Sequence, residues 1–182
     1  MTLAVQRLTL EEFLALPNIE ESPAWELLDG IASQKPMPTL YHSRLQKRLV
    51  SAIDGLNSPY EAFPELRCVL SQNSVVPDVA IVKGDRLPTG NEPLQGAPDW
   101  MIEILSPDQS TTKVIAKIQS CLNEGTQLGW LIDVEEQTIM VFWADVASSQ
   151  ATPLSLLTGP SPLPVLPDIE WETTVETVLS WC

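Results

Sequence analysis

Val75-Val76-Pro77-Asp78-Val79-Ala80-Ile81-Val82 and Trp100-Met101-Ile102-Glu103-Ile104-Leu105 are the two stretches on which the fold turns. Both are short and rich in strand-forming residues, so strands are predicted over 75–82 and 99–105. Each carries one carboxylate among apolar neighbours, Asp78 in the first and Glu103 in the second. A carboxylate buried in such a run is costly without a cation or a full set of hydrogen bonds. On spacing alone, two ordinary strand-end acids facing water are an equally good reading. Pro77 favours a sheet edge or a bulge, where functional side chains are often re-aimed.

Toward the C-terminus, Ser110 or Thr111 is placed to cap a helix that runs to about Asn123 and stops at Gly125. Val114, Ile115, Ile118, Cys121 and Leu122 form its apolar face, with Lys113 and Lys117 one turn apart on the margin. Leu128–Val134 and Thr138–Trp143 read as a hairpin around Glu135-Glu136-Gln137. A polar, Pro-rich stretch, 147–168, leads to a short helix containing Val175, Val178 and Leu179.

Toward the N-terminus, 84–98 is predicted as a loop and 60–71 as a further strand. Leu45, Leu49, Ile53 and Leu56 make one apolar stripe on a helix from Thr39 or Leu40 to about Leu56. Lys35-Pro36-Met37-Pro38 reads as a rigid extended connector. Before it, Trp25-Glu26-Leu27-Leu28-Asp29-Gly30-Ile31 is a strand entering a hairpin turn at Asp-Gly. Thr9, with Glu12 three residues on, caps a first helix that stops before Pro17. With no internal repeat or second domain visible, residues 1–182 are expected to form a single domain.

Composition removes several classes of chemistry. One histidine and three scattered cysteines make a Cys/His zinc site improbable, and any metal is expected to be a hard ion held by oxygen, Mg2+ or Mn2+. No apolar run approaches the roughly 20 residues that span a bilayer, and no signal peptide is visible, so a cytoplasmic location is the default expectation. The net charge of −14 opposes nonspecific attraction to a phosphate backbone. That charge is unevenly spread. All Lys and Arg lie between Arg7 and Lys117, while residues 118–182 carry acids and no base, so the candidate site falls in the less acidic part.

A metal would account for both strand carboxylates at once, and a helix lysine beside them could orient water or stabilise a developing anion. Such a set performs metal-dependent phosphodiester cleavage. Against it, exposed helix lysines are usually solubilising. Glu26, between Trp25 and Leu27, reads by alternation as a surface residue, or as a further ligand acting through water. His42, near a helix N-terminus, reads as a surface or locally bonded imidazole before a catalytic one. Arg67 fits a phosphate or carboxylate partner and equally an exposed strand position.

The series Trp25-Glu26-Leu27-Leu28-Asp29-Gly30, His42, Pro77-Asp78-Val79, Ile102-Glu103-Ile104-Leu105-Ser106-Pro107 and Gly129-Trp130-Leu131-Ile132-Asp133 resembles the Uma-two family. These are restriction-endonuclease-like proteins of the PD-(D/E)XK nuclease superfamily. The resemblance runs in order from about Thr9 to Leu166-Pro167-Asp168-Ile169 and the terminal helix; order and spacing carry it, not any single motif. It implies an α/β (mixed α+β) fold with a central mixed sheet flanked by helices. It also implies Asp78 and Glu103 as metal ligands, joined by the backbone carbonyl of Ile104. The superfamily motif would put a lysine where this chain has Leu105. A lysine from the following helix takes its place in the family, at a position matching Lys117, and Lys113 stands where an acid is usual one turn earlier. Both lysines therefore stay candidates.

The expectation is a Mg2+- or Mn2+-dependent nuclease acting on DNA rather than RNA. Asp78, Glu103 and Lys117 or Lys113 form its site, and Glu26 is an auxiliary acid. A homodimer is expected from the need to engage both strands of a duplex. The alternative is a nuclease fold without cleavage, serving as a binding or regulatory module. A sugar hydrolase built on the two carboxylates leaves the lysine helix without a role.

Overall fold

The computed structural model describes residues 7–107, 109–144 and 154–182. Its helices are α1 (Leu10–Leu14), α2 (Leu40–Asp54), α3 (Thr111–Leu122) and α4 (Val175–Leu179). The strands in chain order are β1 (Trp25–Leu28), β2 (Ile31–Gln34), β3 (Tyr60–Pro64), β4 (Cys68–Val69), β5 (Ser74–Val75), β6 (Val79–Lys83), β7 (Leu94–Gln95), β8 (Trp100–Ile104), β9 (Leu128–Asp133), β10 (Thr138–Trp143) and β11 (Leu154–Thr158). They form two mixed sheets, a five-stranded one in the order β2-β1-β5-β4-β7 and a six-stranded one in the order β11-β10-β9-β8-β6-β3.

The run 75–82, predicted as one strand, is two strands in different sheets. β5 ends at Val75 in the smaller sheet, and β6 starts at Val79 in the larger one. Pro77 cannot donate to a ladder, so the chain changes sheets across Val76-Pro77-Asp78. Its partner does the same. The stretch 60–71 breaks at Glu65, whose φ of 53° lies in the left-handed region, into β3 and β4. β3 pairs antiparallel with β6 and β4 with β5, so one bent ribbon is shared between the two sheets.

Period-two alternation then decides what each face of the six-stranded sheet carries. Ile81, Trp100, Ile102, Trp130 and Ile132 point to one face, where Leu45, Leu49 and Ile53 of α2 and Val175 and Val178 of α4 pack. Trp100 and Trp130 meet edge to face at 4.7 Å, and Trp171 stacks beyond Trp130. Ala80, Val82, Met101, Leu131 and Phe142 point to the other face, covered by Val114, Ile118, Cys121 and Leu122 of α3 together with Cys68 and Val75 of the smaller sheet. A fully buried large apolar side chain contributes about 1.5–3 kcal/mol, so these two layers supply most of the driving force for folding. α3 comes close because Gly129 of β9 has no side chain: a Cβ there would lie 2.7 Å from Ile118 Cγ2.

Other predicted elements are found close to their expected places. Thr9 and Glu12 form a reciprocal capping box on α1. Asp29 and Gly30 turn the β1–β2 hairpin with φ of 50° and 77°. The stretch 84–98, predicted as a loop, contains a single 3-10 turn, Gly84–Arg86, and β7. The polar stretch 147–168 contains β11, which extends the larger sheet beside β10. Residues 147–153 of that stretch lie outside the described residues. Among the described residues, no helix is long and apolar enough to cross a membrane.

Candidate functional site

The seam where the chain changes sheets is also where charge is buried. Val79 of β6 pairs with Ile102 of β8. Continued by one residue, that register sets Asp78 opposite Glu103, and by two, Pro77 opposite Ile104. The Ile104 N–H accordingly donates to Asp78 Oδ2 at 2.7 Å. Pro77 has no N–H to offer the Ile104 carbonyl from the facing position. Alternation along β8 carries Glu103 to the Met101 face, beneath α3. Both carboxylates are almost fully enclosed, Asp78 at 3% and Glu103 at 1% exposure.

Two lysines neutralise them. Lys117, projecting from α3, lies 2.8 Å from Glu103 Oε1 and 2.6 Å from Glu26 Oε1. Its ammonium also donates to the Val76 carbonyl at 3.0 Å. Lys35, just past the end of β2, donates to Asp78 Oδ1 at 2.8 Å, to Glu65 Oε1 at 2.9 Å and to the same Val76 carbonyl at 2.9 Å. The Val76 N–H in turn donates to Glu26 Oε1 at 2.6 Å. The backbone of one residue between the sheets, Val76, thus links both ion-paired clusters. From α2, His42 brings Nε2 to 3.4 Å from Asp78 Oδ1, and its Nδ1 is buried without a partner among the described residues.

Three buried carboxylates face two buried ammonium groups, and burial together with these charges sets the titration. Burial pushes the Glu103 carboxyl up to about 7; Lys117 opposes this, and Asp78 adds to it. Burial acts on Asp78 in the same direction, but Lys35, His42 and Lys117 outweigh it and hold that carboxyl below its ordinary range. Burial would lower both lysines. The attraction of Glu103, Glu26 and Asp78 outweighs it for Lys117, and that of Asp78, Glu103 and Glu26 does so for Lys35, so both ammonium groups lie above their ordinary values. At neutral pH neither lysine can accept a proton.

The donor set suits a hard divalent ion. Asp78 and Glu103 offer buried carboxylate oxygens from adjoining segments, and the Ile104 carbonyl follows Glu103 along β8. Glu103 Oε1 is buried and accepts no properly aligned hydrogen bond, although the Lys117 ammonium is 2.8 Å away. Lys117 is thus its ion-pair partner, and a hard electropositive ion suits the same buried oxygen. Among the described residues no three His, Cys, Asp or Glu side chains already converge as a closed metal site. Cysteine chemistry does not compete here. Burial pushes the Cys68 thiol up to about 12 and the Cys121 thiol well above its usual value.

A family model described as "Uma2: Putative restriction endonuclease" matches residues 10–176. The chain belongs to the Uma2 family. Among solved structures, this Uma2 chain is similar to "a putative nuclease belonging to DUF820" from Anabaena variabilis ATCC 29413, at 40% identity and a TM-score of 0.84 over 96% of this chain and 98% of that one. The fold is restriction-endonuclease-like, and nucleases of that fold generally use divalent metals. No curated protein matches this chain.

Of the residues singled out in the sequence, the structure brings Asp78, Glu103, Ile104, Lys117 and Glu26 together. Lys113, one turn before Lys117, is exposed and outside the ion-paired cluster. The two lysines share one side of α3, and each precedes a buried residue, Val114 or Ile118; the difference lies along the axis, with Lys113 in the first turn and Lys117 one turn deeper over the sheet. Glu26 is not on the surface. β1 lies between β2 and β5 and both its faces are covered at this position, so Glu26 and Leu27 are both buried.

Three other sequence readings change. His42 is buried against Asp78 rather than at the surface. Arg67 is not exposed, and of the partners expected for it the structure supplies a carboxylate, that of Glu20. It donates to Ser74 Oγ and to the Ile19 and Trp25 carbonyls, pairs with Glu20, and lies over the Phe13 ring. Lys35, read as part of a connector, is a member of the site. The only sequence signal for it is a lysine placed directly before Pro36, at the end of a hairpin that carries Glu26.

Proposed function

We propose that this chain is a metal-dependent nuclease that hydrolyses phosphodiester bonds, with DNA preferred to RNA, and that residues 1–182 act as one restriction-endonuclease-like unit. The observation that carries the reading is a pair of buried carboxylates, Asp78 directly before β6 and Glu103 in the neighbouring β8, with an ammonium group from the next helix on Glu103. Asp78, Glu103 and the Ile104 carbonyl would hold Mg2+ or Mn2+, which supplies charge neutralisation at the phosphate and a more acidic bound water.

Lys117 is the working lysine. Its ammonium stays protonated, so it orients water and stabilises developing negative charge; it does not act as a base. Glu26 keeps that ammonium in place through a 2.6 Å contact and is itself held by the Val76 N–H. Burial of the pair excludes bulk water from the ammonium and strengthens its field at the reacting phosphate.

The test is cleavage of supercoiled, linear and single-stranded DNA and of RNA, with Mg2+ or Mn2+, by wild type, Asp78→Asn, Glu103→Gln, Lys117→Met and Lys113→Ala. The expected result is metal-dependent cleavage lost in the first three variants and retained in Lys113→Ala. Cleavage that survives in Asp78→Asn or Glu103→Gln would overturn the assignment. The competing reading, a nuclease fold that binds without cutting, draws support from the net charge of −14. It predicts no cleavage by wild type under any condition. Sedimentation of wild type with and without duplex DNA tests the expected homodimer.

A further inference from the structure

We propose that Lys35 is the resident counter-cation of the metal site: its ammonium holds Asp78 while no metal is bound and swings to Glu65 when a divalent ion takes Asp78. The inference rests on the metal-binding reading given above and concerns a residue that reading does not use. Asp78 has two oxygens. Oδ2 is committed to the Ile104 N–H at 2.7 Å, and Oδ1 already carries Lys35 at 2.8 Å and His42 Nε2 at 3.4 Å. A dication on Asp78 would therefore meet an ammonium group at close range, and like-charge repulsion there cannot be relieved by solvent.

Charge balance points the same way. Asp78, Glu103 and Glu26 face Lys35 and Lys117 with one negative charge left over. If a dication replaces the Lys35 ammonium, the three carboxylates are balanced by that ion and Lys117. If Lys35 stayed as well, the buried cluster would carry a net positive charge, which burial disfavours.

The two lysines differ in whether they can leave. Lys117 is held among Glu26, Glu103 and the Val76 carbonyl, with its side chain 4% exposed and every partner buried. Lys35 has an exit. Its backbone N–H is fixed to the Ala24 carbonyl at 2.9 Å, Pro36 stiffens the next step of the chain, and Glu65, on which the ammonium already rests, is 41% exposed. A flexible four-carbon stem on a fixed Cα can move its ammonium from Asp78 toward the rim without giving up both carboxylates.

Two measurements test this on the full chain. Calorimetric titration of chelator-treated protein with Mn2+ compares wild type, Lys35→Met, Asp78→Asn and the double variant. The expected outcome is about tenfold tighter binding in Lys35→Met, as removal of one competing charge from a buried site requires, with binding lost in both Asp78→Asn proteins. The second measurement uses wild type alone: the rate of lysine acetylation read by mass spectrometry, with and without Mn2+. Labelling of Lys35 should accelerate with metal, that of the buried Lys117 should not, and Lys113 serves as the exposed control.

Equal or weaker Mn2+ binding in folded Lys35→Met, or metal-independent labelling of Lys35 in metal-saturated wild type, would overturn the displacement. The metal-site reading survives that outcome if Asp78→Asn abolishes wild-type binding. Absence of Mn2+ binding by every protein sinks both.

Discussion

Replacing Glu103 by Gln should remove a specific segment of the pH dependence of stability. Glu103 is 1% exposed, and burial pushes its carboxyl from 4.5 up to about 7 against the pull of Lys117. Below the unfolded value the group is protonated whether or not the chain is folded. Between the two values the native protein keeps a proton that the unfolded chain has released, so stability falls as pH rises through the window. A shift from 4.5 to about 7, at about 1.4 kcal/mol per unit, corresponds to about 3 kcal/mol lost between pH 4.5 and the region just above 7.

The neighbouring groups titrate elsewhere. The Asp78 carboxyl is held below 3.8, so its contribution is complete above that pH and is lost only in stronger acid. Lys35 and Lys117 lie above 10.5, and their contributions disappear only in alkali. Urea unfolding of chelator-treated wild type and Glu103→Gln at pH 5, 6, 7 and 8 isolates the Glu103 segment. Part of that loss has already occurred at pH 5, so the stability difference between the two proteins should shift by about 2–3 kcal/mol in favour of the variant from pH 5 to pH 8. Parallel pH profiles would refute the reasoning, because they would mean that Glu103 ionises alike in the folded and unfolded chain.

Three further perturbations probe the frame around the site. Lys117→Met leaves Glu26 and Glu103 buried without their shared cation and should cost about 3–5 kcal/mol at pH 8, with a smaller loss at pH 5 where Glu103 carries a proton, as measured by urea unfolding. Arg67→Ala opens the clasp on Ile19, Trp25 and Ser74 and should lower stability by about 3 kcal/mol or more, while the folded variant binds Mn2+ like wild type in calorimetry. Gly129→Ala places a methyl 2.7 Å from Ile118 Cγ2, so α3 must move; a cost of about 1–3 kcal/mol is expected in thermal unfolding, with weaker cleavage because Lys117 precedes Ile118.

Much of the fold could be read from the chain because the patterns involved are local. The stripe of Leu45, Leu49 and Ile53, the Asp29-Gly30 turn and the Thr9-Glu12 box each act within a few residues, and each is found where expected. The two carboxylates could be read too, because an acid within an apolar strand stands out at any fold. The sheet change at Pro77 was only half visible. A proline indicates an interrupted ladder, but it does not say that the residues on its two sides pair in different sheets.

By itself, then, the sequence determined the helices and most of the longer strands, the class of fold and the two acids at its centre. Only the tertiary structure decided which cations meet them. The Lys35 ammonium reaches Asp78 across 43 positions and Lys117 reaches Glu26 and Glu103 from another element, while Lys113, with the same chemistry one turn away, reaches neither. Periodicity of 2 or 3.6 residues reports which face a side chain takes within its own element. It carries no information about which distant charge lies across the seam, and burying that charge is stable only where such a partner arrives.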